Sequence, residues 1–164
     1  MDYSARMKFV KLGSSLLLFL FASTVYGQDA TADRAELLNL HATVINAHVK
    51  KDLASWMAIE IDTTISVNNG SISHLGRSER QNAREAYLNR TKFDSYRDLS
   101  APIVKVSEDG SLGWVIAEVE VIGWTANSDG SIEDISNVFA WIELYEKTPL
   151  GWKMSGNVSN SRPL

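Results

Sequence analysis

Between Ser111 and Ser159 apolar and polar residues alternate in long runs broken by tight turns. From Trp114 to Thr125 the run W-V-I-A-E-V-E-V-I-G-W-T sets Val115, Ala117, Val119 and Val121 on one face. Trp114, Ile116, Glu118, Glu120, Ile122 and Trp124 fall on the other. A period of two predicts a strand with two unlike faces. Asp129-Gly130 supplies a turn that accepts positive φ. Asn137 to Glu146 predicts the next strand, with Val138, Ala140, Ile142 and Leu144 opposite Asn137, Phe139, Trp141, Glu143 and Tyr145. Pro149-Leu150-Gly151 turns the chain, and Trp152 to Ser159 returns. Strands this long exceed the usual five or six residues, which predicts a twisted, curved sheet. The small apolar faces are expected beneath helices, with Val119, Val121, Val138, Ile142 and Leu144 in the core.

Upstream the period changes. From Arg34 to Lys51, residues Leu37, Leu40, His41, Val44, Ala47 and His48 recur at helical spacing, with Asp33 as the expected cap. Asp52 is placed to cap a short helix, Leu53 to Ala58, that carries Trp56. Glu60 to Asn68 alternates again, Asn69-Gly70 is a strong hairpin signal, and Ser71 to His74 pairs back. Ser78 to Lys92 reads as a third helix, capped by Ser78 and carrying Tyr87 and Leu88. Tyr96 to Ser107 reads as a strand broken by Pro102. Helices first and a long sheet last predict an α+β fold. Its physical form is a cone-shaped, curved antiparallel sheet wrapped around the long N-terminal helix, with room between the layers for a ligand.

The first 27 residues are expected to stand apart. Arg6, Lys8 and Lys11 precede an apolar run, Leu12 to Ala22, and Val25-Tyr26-Gly27 ends in small residues. That is the pattern of a secretory signal peptide over residues 1–27, leaving 28–164 as one domain exported to the periplasm or the extracellular medium. The apolar run is shorter than the roughly 20 residues that span a bilayer, so no membrane association is expected after cleavage. The formal charge of the chain is −4, and roughly −6 without the leader. A mildly acidic chain without a basic stripe is not built for nucleic acid. There is no cysteine, which excludes disulfides and thiol nucleophiles. No nucleophile elbow, P-loop or dinucleotide fingerprint is present.

The order of elements, with the pieces H-A-T-V-I-N-A-H-V-K-K-D-L-A-S-W-M, H-L-G-R-S-E, D-G-S-L-G-W-V and L-G-W-K-M, resembles the nuclear-transport-factor-2-like superfamily. Within it the chain is most similar to the SnoaL-like branch and its secreted relatives. The resemblance implies a cone-shaped α+β barrel, like that of cystatin-like proteins, with a pocket and often a dimer. The superfamily includes ketosteroid isomerase, scytalone dehydratase and polyketide cyclases. The isomerase pattern needs a tyrosine on the first helix, an aspartate late in the first strand and an acid on a late strand. Those places fall near Val44, Val67 and Ala140, none of which is an acid or base. Histidines that SnoaL-like relatives carry on the final strand are replaced by Gly156 and Val158.

The candidate ligand-binding residues are therefore His41, His48, Trp56, Asp62, Tyr87 and Asn157. His41 and His48 lie two helical turns apart on one stripe, about 11 Å, too far to share a metal; no metal and no cofactor is expected. Three functional readings stand at this point. The first is a binding domain for a small, mostly apolar molecule. The second is an isomerase, dehydratase or cyclase drawing an acid/base pair from His41, His48, Asp62 or Tyr87. The third is an interaction module whose cone is filled by its own side chains. The aromatic face formed by Trp114, Trp124, Phe139, Trp141 and Tyr145 is expected to join two copies as a homodimer.

Overall fold

The computed structural model describes residues 22–164, with side chains from Ala30 onward. Most of the expected leader therefore lies outside the described residues. The first helix, α1, spans Ala22–Lys50 and begins ahead of the expected Arg34. Asp33 is not a cap but sits within it. Its carboxylate accepts from Lys147 Nζ at 2.6 Å and from Trp152 Nε1 at 2.9 Å. Burial opposes the Asp33 charge, yet those two donors hold its pKa below the usual carboxylate value. The short helix α2, Leu53–Ala58, starts where Asp52 predicts, with Ser55 N–H donating to Asp52 Oδ1 at 3.0 Å.

Strands β1, Glu60–Asn68, and β2, Ser71–Gly76, form a hairpin closed by Asn69 at φ 45° and Gly70 at φ 73°. Both values are left-handed, as a type I′ turn requires. Helix α3, Arg77–Arg90, is capped by Gly76 rather than Ser78: the Gly76 N–H donates to Glu79 Oε2 at 3.1 Å. It ends two residues before Lys92, and β3, Thr91–Asp98, begins there instead of at Tyr96. Pro102 separates β3 from β4, Ile103–Val106. The rest of the sheet is β5, Leu112–Ala126; β6, Ile132–Asp134; β7, Asn137–Thr148; and β8, Gly151–Pro163.

The sheet runs in the order β2-β1-β8-β7-β5-β3, with β4 and β6 also on β5. It is not wholly antiparallel, because β1 lies parallel to β8. Gly156 makes that junction possible: a Cβ there would sit 2.5 Å from the Ile65 carbonyl oxygen. Helix α1 crosses β3, β4 and β5. Under it Leu37, Val44, Ile59, Val115, Tyr145, Trp152 and Met154 close one end of the cone as a hydrophobic core, with Val44 and Met154 at its boundary with a cavity.

Register decides which face of β7 is inside. Residues directly opposite in antiparallel strands share a face. Val115 pairs with Glu143, Ala117 with Trp141 and Val119 with Phe139. Val115, Ala117, Val119 and Val121 are buried as expected. They bring Phe139, Trp141, Glu143 and Tyr145 inside with them. The expected β7 core is thus corrected: Val138 is buried, but Ile142 is half-buried and Leu144 is 39% exposed. The physical reason is volume. Small residues on β5 leave space under a curved sheet that large rings on β7 fill.

The outer face changes accordingly. Phe139, Trp141 and Tyr145 are removed from it, while Trp114 and Trp124 remain. In their place a ladder crosses the sheet: Ile72 pairs with Val67, Val67 with Val158, Val158 with Ile142, Ile142 with Ile116, and Ile116 with Ile103. Ile72 and Ile103 are more than half exposed.

Candidate functional site

The residues at the open end of the cone surround a cavity of about 320 Å³. It lies between α1, α2 and α3 and the inner face of β1, β2, β7 and β8. The cone is thus not filled by its own side chains, which removes the support for a filled interaction module. Four strands contribute one polar row. Glu143 pairs with Asn157, Asn157 with Ser66, and Ser66 with Ser73, and all four line the cavity. Their sequence neighbours Ile142, Val158, Val67 and Ile72 form the outer ladder, because successive strand residues point to opposite faces.

Glu143 is buried and fully engaged. Its Oε1 lies 3.0 Å from His41 Nδ1, and its Oε2 accepts from Tyr145 Oη at 2.8 Å. The other ring nitrogen, His41 Nε2, lies 3.0 Å from Asp98 Oδ1. Burial alone would push the His41 pKa down. The Glu143 carboxylate, and then Asp98, outweigh it and push it up to about 9. His41 is therefore an imidazolium at neutral pH, donating from both nitrogens. Asp98 is 32% exposed, so the row Tyr145–Glu143–His41–Asp98 runs from the core to the surface.

His48 is in the opposite state. Its Nδ1 donates to the Val44 carbonyl at 2.8 Å, which leaves Nε2 as an acceptor with no partner among the described residues. Burial pushes its pKa down to about 4, against the Val44 bond. The ring is stacked on Tyr96 at 4.5 Å and tilted against Trp56 at 4.1 Å. Burial also raises the Tyr96 phenol well above its ordinary value, so the Tyr96 hydroxyl stays protonated in the cavity wall.

The floor is charged. Glu60, at the start of β1, meets two arginines spaced one turn apart on α3. Arg80 Nε donates to Glu60 Oε2 at 3.1 Å. The remaining Arg80 nitrogens donate to the carbonyls of Asp62, Leu75 and Ile61. Arg84 Nη1 donates to Glu60 Oε2 at 2.5 Å. Arg84 Nη2 lies 2.5 Å from Glu60 Oε1, an oxygen that takes no well-angled hydrogen bond, so charge holds that contact. The Arg84 guanidinium also lies 4.0 Å over the Trp56 ring, a cation–π contact that fixes its plane.

Of the six residues singled out by sequence, His48, Trp56 and Asn157 line the cavity. His41 stands one layer behind, through Glu143. Tyr87 contacts His48 at 6.1 Å between ring centroids, and burial raises its pKa to about 12, but it does not line the cavity. Asp62 is a correction: its carboxylate is 93% exposed, with Arg77 3.9 Å away. Only its carbonyl serves the site, by holding Arg80. Sequence reasoning missed Glu60, Arg80, Arg84 and Glu143. Two signals pointed to them. Glu143 alternates in phase with Trp141 and Tyr145, and Arg80 and Arg84 share a face of α3 at i, i+4. Among the described residues no group of three or more His, Cys, Asp or Glu could hold a metal ion.

No protein-family model matches the sequence, and no curated protein does. Solved structures share the architecture. An NTF2-like protein from Cytophaga hutchinsonii superposes with a TM-score of 0.64 at 12% identity, over 79% of this chain and 98% of that one. A ketosteroid isomerase-like protein from Erwinia carotovora atroseptica gives 0.61 at 15% identity, over 80% and 98%. A protein of unknown function with a cystatin-like fold from Nostoc punctiforme gives 0.59 at 13% identity, over 80% and 92%. At such identities the likeness is one of fold. The chain has the NTF2-like, cone-shaped α+β fold that the sequence resemblance implied.

Proposed function

We propose that this protein, a SnoaL-like variant of the fold, binds a small molecule in the cavity and recognises it without transforming it. One observation carries this reading. The strongest acid/base groups are already committed, whereas the neutral groups facing the cavity are open. His41 is held between two carboxylates, and Arg80 has four of its five N–H groups bonded, to Glu60 and to three carbonyls. His48, with a pKa pushed down to about 4, is an acceptor at neutral pH and a poor base. By contrast, the Asn157 amide, the Ser66 hydroxyl, the Tyr96 hydroxyl and His48 Nε2 have no partner among the described residues. Open, fixed hydrogen-bonding groups in a cavity are what ligand orientation requires. The wall is more polar than a mostly apolar ligand needs. Native mass spectrometry of protein purified from its own host should show a retained small molecule. Its absence, together with no metabolite raising the melting temperature, would overturn the reading.

A second reading, a proton-transferring isomerase, dehydratase or cyclase, is favoured by Glu143. It is a buried carboxylate on the cavity wall, linked through His41 to the partly exposed Asp98. In that case Glu143→Gln abolishes turnover while leaving binding intact.

Two further proposals concern the whole chain. We propose a homodimer through the outer face of the sheet, now centred on Ile142 and Ile116 with Trp114 at one side. The pairs Arg97–Glu120 and Arg162–Glu118 form its charged rim. Sedimentation at micromolar concentration should give a dimer that Ile142→Lys dissociates; a clean monomer rules it out. We also propose export, on the strength of Arg6, Lys8, Lys11 and the apolar run that follows. The secreted product should begin near Gln28, within the first turns of α1. An intact Met1 on the exported protein contradicts this.

A further inference from the structure

The geometry points to a ligand class: we propose that the cavity takes a small hydroxylated organic acid. Its carboxylate would sit on Arg84, with its hydroxyls along Asn157 and Ser66. This rests on the cavity being a binding site, and it replaces the mostly apolar ligand expected from sequence.

The first support is charge. At the floor two guanidinium groups share one carboxylate, Glu60, which leaves one positive charge beside a partly enclosed space. At the far wall the His41 imidazolium lies between two carboxylates, Glu143 and the partly exposed Asp98, which leaves that wall one negative charge in excess, but among the described residues only the Glu60 carboxylate is paired with Arg80 and Arg84. A buried charge that lacks a full partner is costly, and a ligand anion would relieve it. Arg84 is the group placed to accept that anion. Both arginines line the cavity, but Arg80 is 2% exposed with four of its five N–H groups bonded, whereas Arg84 is 18% exposed. Its Nη1 is taken by Glu60 and, at 3.7 Å, by Met57 Sδ, and Nη2 faces Glu60, so Nε and the second Nη2 N–H are the groups open among the described residues. Its plane is already fixed over Trp56, so little freedom is lost when a carboxylate docks on it.

The second support is the polar row. Glu143, Asn157, Ser66 and Ser73 stand on successive strands, about 4.8 Å apart. That repeat presents donors and acceptors at intervals to match a chain or ring carrying several hydroxyls. Thr64, on the same side of β1, also lines the cavity with its hydroxyl open. A fatty acid would satisfy Arg84 and desolvate the row without replacing its hydrogen bonds, which is unfavourable. An inorganic anion would leave most of the roughly 320 Å³ unoccupied. The buried Trp141 Nε1–H has no partner among the described residues and offers one more donor at the cavity wall.

The test is calorimetric titration of the full chain with a panel of sugar acids. The controls are their matching polyols and straight-chain fatty acids of equal carbon number. At least one sugar acid should bind, and its polyol and fatty acid should each bind about tenfold more weakly or worse, since a charge-assisted pair contributes on that scale. Arg84→Met should weaken the sugar acid about tenfold or more and leave the polyol unchanged. Arg84→Lys should lie between wild type and Arg84→Met. Glu60 keeps Arg80 in both variants, and matched melting curves check that they fold. Sugar acids binding no better than polyols, or an Arg84→Met affinity equal to wild type, overturns the assignment. So does a wider library yielding only neutral ligands; in these cases the binding reading survives. If nothing binds, charged or neutral, both fall together.

Discussion

The two ends of the cone belong to one sheet and use its faces in opposite ways. At the closed end β5 presents Val115, Ala117 and Val119 inward, and Leu37, Tyr145 and Trp152 fill the space against α1 and β8. At the open end β8, β1 and β2 present Asn157, Ser66 and Ser73 inward, and put Val158, Val67 and Ile72 outside. One end is an ordinary hydrophobic core. The other is inverted, because what lies inside is a cavity and what lies outside is an apolar ladder. Alternation reveals that a strand has two faces; the contents of the space it borders decide which one is inner.

The sharpest way to break this contrast is to place one charge in each end. Val121→Asp buries a carboxylate among apolar side chains and should cost about 4 kcal/mol. Ser66→Asp places the same group on the cavity row and should cost under about 1.5 kcal/mol. Urea unfolding measures both, and equal losses would mean the ends are alike.

Glu143 is where the ends meet, and its removal should come next in size. Glu143→Ala leaves His41 Nδ1–H and the Tyr145 hydroxyl without their acceptor, with Asp98 alone on the imidazolium, and should cost about 3 kcal/mol. Glu143→Gln keeps one acceptor, for His41, and turns the other position into a donor to the Tyr145 hydroxyl oxygen, so it should cost about half as much. If the alanine variant is no worse than the glutamine variant, Glu143 is not the partner described.

The smallest effect is on pH dependence. His41 has a folded pKa raised to about 9. Its stabilisation is therefore complete below the unfolded value of about 6.5 and is lost as pH rises through 9. His48 has a folded pKa lowered to about 4. Its contribution is present above about 6.5 and is lost as pH falls toward 4. Melting temperature should peak near neutrality. His41→Gln should flatten the alkaline limb and His48→Gln the acid limb, each by up to about 3 kcal/mol.

Much of the fold was legible in local pattern. Asp52 capped α2, Asn69-Gly70 closed the hairpin, and Pro102 split the strand, since each rests on a few adjacent residues. The inner face of β5 was legible because four small apolar residues have no other use. The β7 face was not, because Glu143 among aromatic residues looks solvent-facing until His41, from a distant helix, is placed beside it. For the same reason His41 was noticed and its role was not: the partner is 102 positions away in sequence. The floor needed Glu60, Arg80 and Arg84 from separate elements. Asp62 was chosen for its place on a strand, but its carboxylate points away from the cavity into solvent, with Arg77 3.9 Å away.

Nitrogen-15 NMR of the imidazole rings tests the central claim most directly, because the chain has 3 histidines and each is expected in a different environment. With Glu143 inward and the open end polar, His41 should be doubly protonated at pH 7.5 and titrate near 9. His48 should be neutral there, with its proton on Nδ1 and Nε2 bare, and should titrate near 4. If His41 and His48 instead titrate together near 6.5, Glu143 does not face His41, and the inverted end described here does not exist.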